Sequence, residues 1–155
     1  MDYEFAYRYA AASRLDEGGG LELATSGGST PEGEAAHPFF FSGFMERPDV
    51  VAVGLLAVAR VARTRFYVPP GMVPTPGGGL TRIGMLDPVV TSTAEGLRFE
   101  SFSVCCGVYA RLDVQASALD ATHRAVGVTN VDVNQPLRAA LASLRAGEPL
   151  HLDVG

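Results

Sequence analysis

Two adjacent thiols, Cys105 and Cys106, lie in the stretch FESFSVCCGVYARLD and are the chain's only cysteines. Cysteine can hold a metal, attack an electrophile, form a disulfide, or fill a core as a small hydrophobe. A structural zinc site needs about four Cys or His ligands, usually at C-x₂₋₄-C spacing. Here His37, His123 and His151 are scattered and match no ligand spacing. Adjacent residues of a strand point to opposite faces, so these two sulfurs would not readily share one ion. A Cys-His nucleophile would require a distant histidine to fold onto the pair. A bond between neighbouring cysteines is strained and is disfavoured in a reducing compartment. The expectation is therefore one cysteine buried as a small hydrophobe and the other beside a sheet bend at Gly107.

Other chemistry-bearing residues give weaker signals. The glycine clusters at 18–20, 27–28 and 77–79 lack the spacing of a phosphate loop or a dinucleotide fingerprint. All 12 basic residues are arginine, so a phosphate-binding lysine is excluded. Asp87, Asp113 and Asp132 fall near strand ends, where a pair of carboxylates could do acid–base work if the fold joined them. Arg60 and Arg63 are read on the outer face of one helix, and Arg138 and Arg145 two turns apart on another. Together they could form a local basic surface able to track a phosphate backbone.

These residues need a scaffold, and the composition bounds it. A chain of 155 residues suits one domain with a sizeable core. A hydrophobic fraction of 47% with 19% charged residues is that of a globular protein. The net charge of −5 predicts no bulk attraction to nucleic acid or anionic lipid. The N-terminal MDYEFAYRYA has no basic segment leading into an apolar run. The most apolar stretch, Val50 to Ala59, is too short to span a bilayer. The expected location is cytoplasmic, without membrane attachment.

Periodicity then places the elements. Alternating aromatics from Tyr3 to Tyr9 predict a strand, with a turn at Gly18–Gly20 and a hairpin partner at Leu21–Ala24. Thr25 to His37 reads as a polar loop. Phe39, Phe40, Phe41 and Phe44 are all expected to be buried. Asp49 to Phe66 carries an apolar stripe at Val51, Leu55, Val58, Ala62 and Phe66, which predicts a helix opened by Pro48. Gly54 within it costs about 1 kcal/mol relative to Ala and points to close packing. Residues 67–82 form a Pro/Gly-rich surface loop. Strands follow at Leu86–Ser92, Leu97–Phe102, Val108–Val114 and Val126–Val133, with a turn at Gly96 and a loop at Gln115–Thr122. A second helix, Gln135 to Ala146, is capped by Asn134 and stopped by Gly147. Leu150 to Val154 is a last strand. A chain that stops as a strand begins is expected to be the N-terminal fragment of a longer protein.

The segments LDPVVTS, LRFESFSVCCGVYARLDV, TNVDVNQPLRAAL and PLHLDVG resemble the N-terminal region of bacterial, mainly actinobacterial, SWIM zinc-finger proteins. The resemblance extends over LELATSGG, HPFFFSGF and AVARVARTRFY, and so over most of the chain. It implies a region that precedes further domains and a zinc module of pattern C-x-C…C-x-H. That pattern does not occur here, so no zinc ligand carries over. A looser similarity links the order of helices and strands to a DNA sliding-clamp domain, where two helices face the nucleic acid.

The combined expectation is an α+β domain with two main helices on one face of a mostly antiparallel sheet, in a DNA-clamp-like arrangement. It would act as a non-catalytic interaction module, needing no cofactor. Its partners would be proteins, the C-terminal domains of a parent chain, or nucleic acid held by Arg60, Arg63, Arg138 and Arg145. The rival expectation is a small enzyme using Cys105 or Cys106, or a strand-end aspartate.

Overall fold

The computed structural model describes residues 7–67, 86–147 and 149–155. The expected strand at Tyr3 to Tyr9 lies partly outside these residues, and Tyr7 to Tyr9 carry no strand. The expected loop at 67–82 lies outside them apart from Tyr67.

Eleven strands and two α-helices occur in the described residues, an α+β arrangement in which helix is the minority. The strands are β1 (Arg14–Leu15), β2 (Gly20–Leu23), β3 (Thr25–Thr30), β4 (Gly33–Ala35), β5 (Phe41–Met45), β6 (Val89–Thr93), β7 (Gly96–Phe102), β8 (Tyr109–Gln115), β9 (Leu119–Arg124), β10 (Gly127–Val131) and β11 (Leu150–Val154). The helices are α1 (Pro48–Ala62) and α2 (Gln135–Ser143). Where one sheet was expected there are two. One runs β1-β2-β11-β5-β9 and the other β4-β3-β10-β6-β7-β8. The chain changes sheet repeatedly, most abruptly at Ala24 and at Ala125–Val126. Pairing is antiparallel except between β2 and β11.

Both sheets contribute to one core. Leu21, Leu23, Phe41, Met45, Leu152 and Val154 come from the first sheet, and Val90, Leu97, Phe99, Val114 and Val131 from the second. Val51, Leu55 and Val58 of α1 and Leu137 and Leu141 of α2 complete it. α1 lies on β7 and β8 and also meets α2, which rests against β1. The Ser101 hydroxyl donates to the Val58 carbonyl at 2.7 Å, a buried bond that ties β7 to α1. Gly54 permits the close approach: a Cβ there would stand 2.7 Å from Leu112 Cδ1 on β8.

Several expectations are corrected. Thr25 to His37 is not a loop, because β3 and β4 form a hairpin whose β3 edge is completed by β10. Gln115 to Thr122 contains the start of β9, which pairs with β5. α1 stops at Ala62, four residues early, since the Val104 N–H donates to the Thr64 carbonyl and the chain leaves the helix to run beside the β7–β8 turn. Phe66 therefore leaves the apolar stripe and is exposed. α2 ends at Ser143, so Arg145 lies beyond the helix and does not share a face with Arg138. Its N-cap is as expected, with the Leu137 N–H donating to Asn134 Oδ1 at 2.9 Å. β11 is an inner strand between β2 and β5.

Candidate functional site

Two of the four arginines meet, but on protein acceptors. Arg63, just past α1, donates to Asp87 Oδ1 at 3.0 Å and to the Val133 carbonyl at 3.2 Å. Arg138 of α2 donates to the same carbonyl at 2.6 Å. β6 and β10 are antiparallel neighbours, so the residues leading into β6 and those leaving β10 come to one end of the sheet. That places Asp87 and Asp132 together, while Asp113 lies on the solvent face of β8 with Arg98 and Arg111. The expected carboxylate cluster is thus half assembled.

Each group around this pair is engaged. The Tyr9 hydroxyl donates to Asp87 Oδ2 at 3.0 Å. Asp132 Oδ2 accepts from the Ser13 N–H at 3.0 Å and from Asn134 Nδ2 at 2.7 Å. Asn130 Nδ2 donates to the Asp87 carbonyl at 3.3 Å. Burial, reinforced by the Asp87 charge, pushes the Tyr9 phenol far above its ordinary range, so it remains a donor. Burial, followed by the neighbouring Arg63, lowers the Arg138 pKa. A general acid or base needs a free position facing a substrate. Both Asp87 carboxylate oxygens and Asp132 Oδ2 are taken up holding the N-terminal segment, the end of α1, β6 and the start of α2 together, which is a structural lock. Tyr9, Ser13 and Asn130 gave no periodic signal, because their partners lie 43 to 119 residues away.

Arg60 and Arg145 are exposed and form no ion pair with the described residues. The four arginines therefore do not make one free basic face.

The cysteines are neither buried nor on a strand. They occupy the turn between β7 and β8, with Cys105 half-buried and Cys106 exposed. Cys106 takes φ +57°, the left-handed conformation this turn requires. Ser103 Oγ lies 3.4 Å from Cys105 Sγ. The hydroxyl, then the backbone N–H groups of Gly107, Phe66 and Tyr67, stabilise the thiolate and bring its pKa down to about 6. None of the three histidines is beside it. His37 bonds the Thr25 carbonyl, His123 stacks on Phe39, and His151 sits by Ser42 and Asp153. Among the described residues no group of three or more His, Cys, Asp or Glu is arranged to hold a metal.

This thiol has a measurable signature. Cys105 should react with a disulfide reagent along a titration centred near pH 6. Ser103→Ala should move the Cys105 midpoint upward. The folded pKa is depressed relative to the unfolded value of about 8.5, so the thiolate adds stability above that value and loses it as pH falls through about 6. Stopped-flow thiol titration of Cys106→Ser checks this, and a midpoint near 8.5 contradicts it.

Two surface features remain. A shallow groove of about 330 Å³ is lined by Thr30, Pro31, Glu32, Phe39, Phe40 and Val126 among others, with Glu32 as its one charged side chain. Exposed apolar side chains also occur at separate places round α1, β7 and β8. Phe66 and Tyr67 beyond α1, Phe102 and Tyr109 flanking the cysteine turn, and Val50 and Val53 on α1 are all exposed. The Phe102 and Tyr109 rings lie 5.1 Å apart across β7 and β8. No described helix is long and apolar enough to cross a membrane. Compared with known proteins, the chain matches no family model, no curated protein and no solved structure.

Proposed function

We propose that this chain is a non-catalytic interaction module that contacts protein partners, working in the cytoplasm as part of a SWIM-type protein. The observation that carries the reading is the division of labour on the surface. Arg63 and Arg138 are turned onto Asp87 and the Val133 carbonyl, while large apolar side chains on and around α1, β7 and β8 stay uncovered. Uncovered aromatic and aliphatic side chains favour protein recognition. Phosphate tracking needs unpaired cations in one groove, and only Arg60 and Arg145 of the expected four are left for it.

Fluorescence anisotropy with short single- and double-stranded DNA at two salt concentrations tests the choice. The expected result is no salt-sensitive binding, and no difference between wild type and Arg60→Ala/Arg145→Ala. Binding that weakens steeply with salt, and that the double variant abolishes, would replace the reading with nucleic-acid tracking.

A second reading, a thiol-dependent activity, is favoured by one observation, the exposed low-pKa Cys105. It lacks a general base beside the sulfur among the described residues. Cys105 would then act as a thiolate without proton transfer to a histidine.

A further inference from the structure

β8 lies at the end of its sheet, and no other described strand pairs with its outer edge. The other sheet edges are short or interrupted. β1 has two residues and β4 three, and β9 pairs with β5 across a register shift. β8 runs seven residues without a break. A long, flat edge is a template for another strand unless something blunts it.

The ladder shows which groups are unpaired. The Ser103 N–H donates to the Val108 carbonyl, and the Ala116 N–H to the Glu95 carbonyl. These bonds fix the phase of the β7–β8 pairing, in which Phe99 faces Leu112. Even-numbered residues of β8 bond to β7, and Tyr109, Arg111, Asp113 and Gln115 direct their N–H and C=O outward. The side chains of these four lie on the solvent face, while Ala110, Leu112 and Val114 face the core.

α1 continues this edge upward. Gly54 marks its β8 flank through Leu112. At 3.6 residues per turn, Val61, Val50 and Ala57 lie next to Gly54 on the same flank, and Val53 follows them round toward solvent. All are apolar, with Val50 50% and Val53 70% exposed. Asp49 and Arg60 follow next round the helix, beside Val53 on its solvent side, and Arg63 lies beyond them, donating to the Val133 carbonyl just before α2. A free strand edge and an uncovered apolar helix flank thus form one continuous surface.

We infer that a second copy of this chain occupies it, through antiparallel pairing of β8 with β8 of the partner about a two-fold axis at Leu112. The proposal rests on the reading of the chain as a protein-interaction module. Charge selects the register. Centring on Leu112 sets Arg111 opposite the second copy's Asp113, and Asp113 opposite its Arg111. Centring on Arg111 or Asp113 would oppose like charges, which is destabilising. Within one chain Glu100 already faces Arg111 and Arg98 faces Asp113. The row across four strands then reads Glu100, Arg111, Asp113, Arg98, alternating in sign, and the symmetric row repeats it. The two α1 flanks meet above the joined edge, giving the isologous contact of a two-fold dimer.

Sedimentation equilibrium on the whole chain tests this with a charge swap. Wild type should dimerise at or below about 100 μM. Arg111→Asp and Asp113→Arg should each dimerise at least about tenfold more weakly, since each opposes two like-charge pairs. An equimolar mixture of the two should recover dimer, because the charges then complement. Val50→Asp, on the exposed part of the β8 flank, should also weaken wild-type association. Circular dichroism confirms that each variant is folded. A wild type that stays monomeric at about 100 μM overturns the proposal, as does a dimer that neither swap variant changes. Either result leaves the interaction-module reading standing with another partner, whereas salt-sensitive DNA binding would remove that reading independently.

Discussion

Phe41→Ala should destabilise the protein by about 3–5 kcal/mol, the range for truncating a fully buried aromatic, whereas Phe44→Ala should cost less than about 1 kcal/mol. Both residues lie on β5 in the same FFFSGF run. Phe41 is fully buried in the shared core, with the Arg124 guanidinium 5.9 Å above its ring. Its loss leaves a cavity where β5 passes between β11 and β9. Phe44 is 44% exposed and meets the edge of the His151 ring, so its removal opens no internal space. Urea unfolding separates the two. The Phe41→Ala midpoint should fall sharply with an unchanged slope, and the Phe44→Ala midpoint should barely move. Equal losses would mean that the two faces of β5 are assigned wrongly.

Gly96→Ala should cost roughly 2–4 kcal/mol, combining a backbone conformation that L-residues avoid with a steric clash. Gly96 has φ +143°, and a Cβ built on it falls inside contact distance of the Val114 carbonyl. That neighbour is backbone of β8, so relief requires β8 to move rather than a side chain to rotate. The paired residues Gly96 and Gln115 close the β7–β8 ladder. The variant should therefore lose both stability and hydrogen-exchange protection along β8, with smaller changes in β2, β5 and β11. A variant as stable as wild type would show that the turn tolerates a side chain.

The second prediction concerns a residue whose role was readable. Gly96 between two alternating apolar runs marks a turn, and the turn is there. Asn134 before Pro136 marks a helix start, and the cap bond is made. Such signals act within a few residues of one another, so local sequence is sufficient. The three phenylalanines of the run show where this fails. Phe39, Phe40 and Phe41 are identical in hydrophobicity, yet Phe40 and Phe41 are fully buried and Phe39 is 47% exposed. Apolarity favours burial, but the strand faces that receive it are set by β9 and β11, distant in the chain.

The candidate residues divide on the same principle. Arginine near the end of a helix was legible at Arg63, but its turn toward Asp87, 24 residues on, was not. Asp87 and Asp132 come together because β6 and β10 are neighbours, a pairing that no window of sequence contains. Cys105 and Cys106 were expected on a strand, yet the chain turns at that point, and the turn brings the Ser103 hydroxyl and the Gly107 N–H to the Cys105 sulfur, with lesser help from Phe66 and Tyr67 upstream. By itself the sequence determined the α+β class, the positions of both helices, the β6–β7–β8 meander and the exclusion of a phosphate-loop lysine, since composition, period and caps are local properties. The tertiary structure decided the division into two sheets, the burial of individual phenylalanines, the locking of two arginines and the free edge of β8. Those outcomes depend on which distant segments pair, and pairing is settled by the burial of one common core rather than by the preferences of any single stretch.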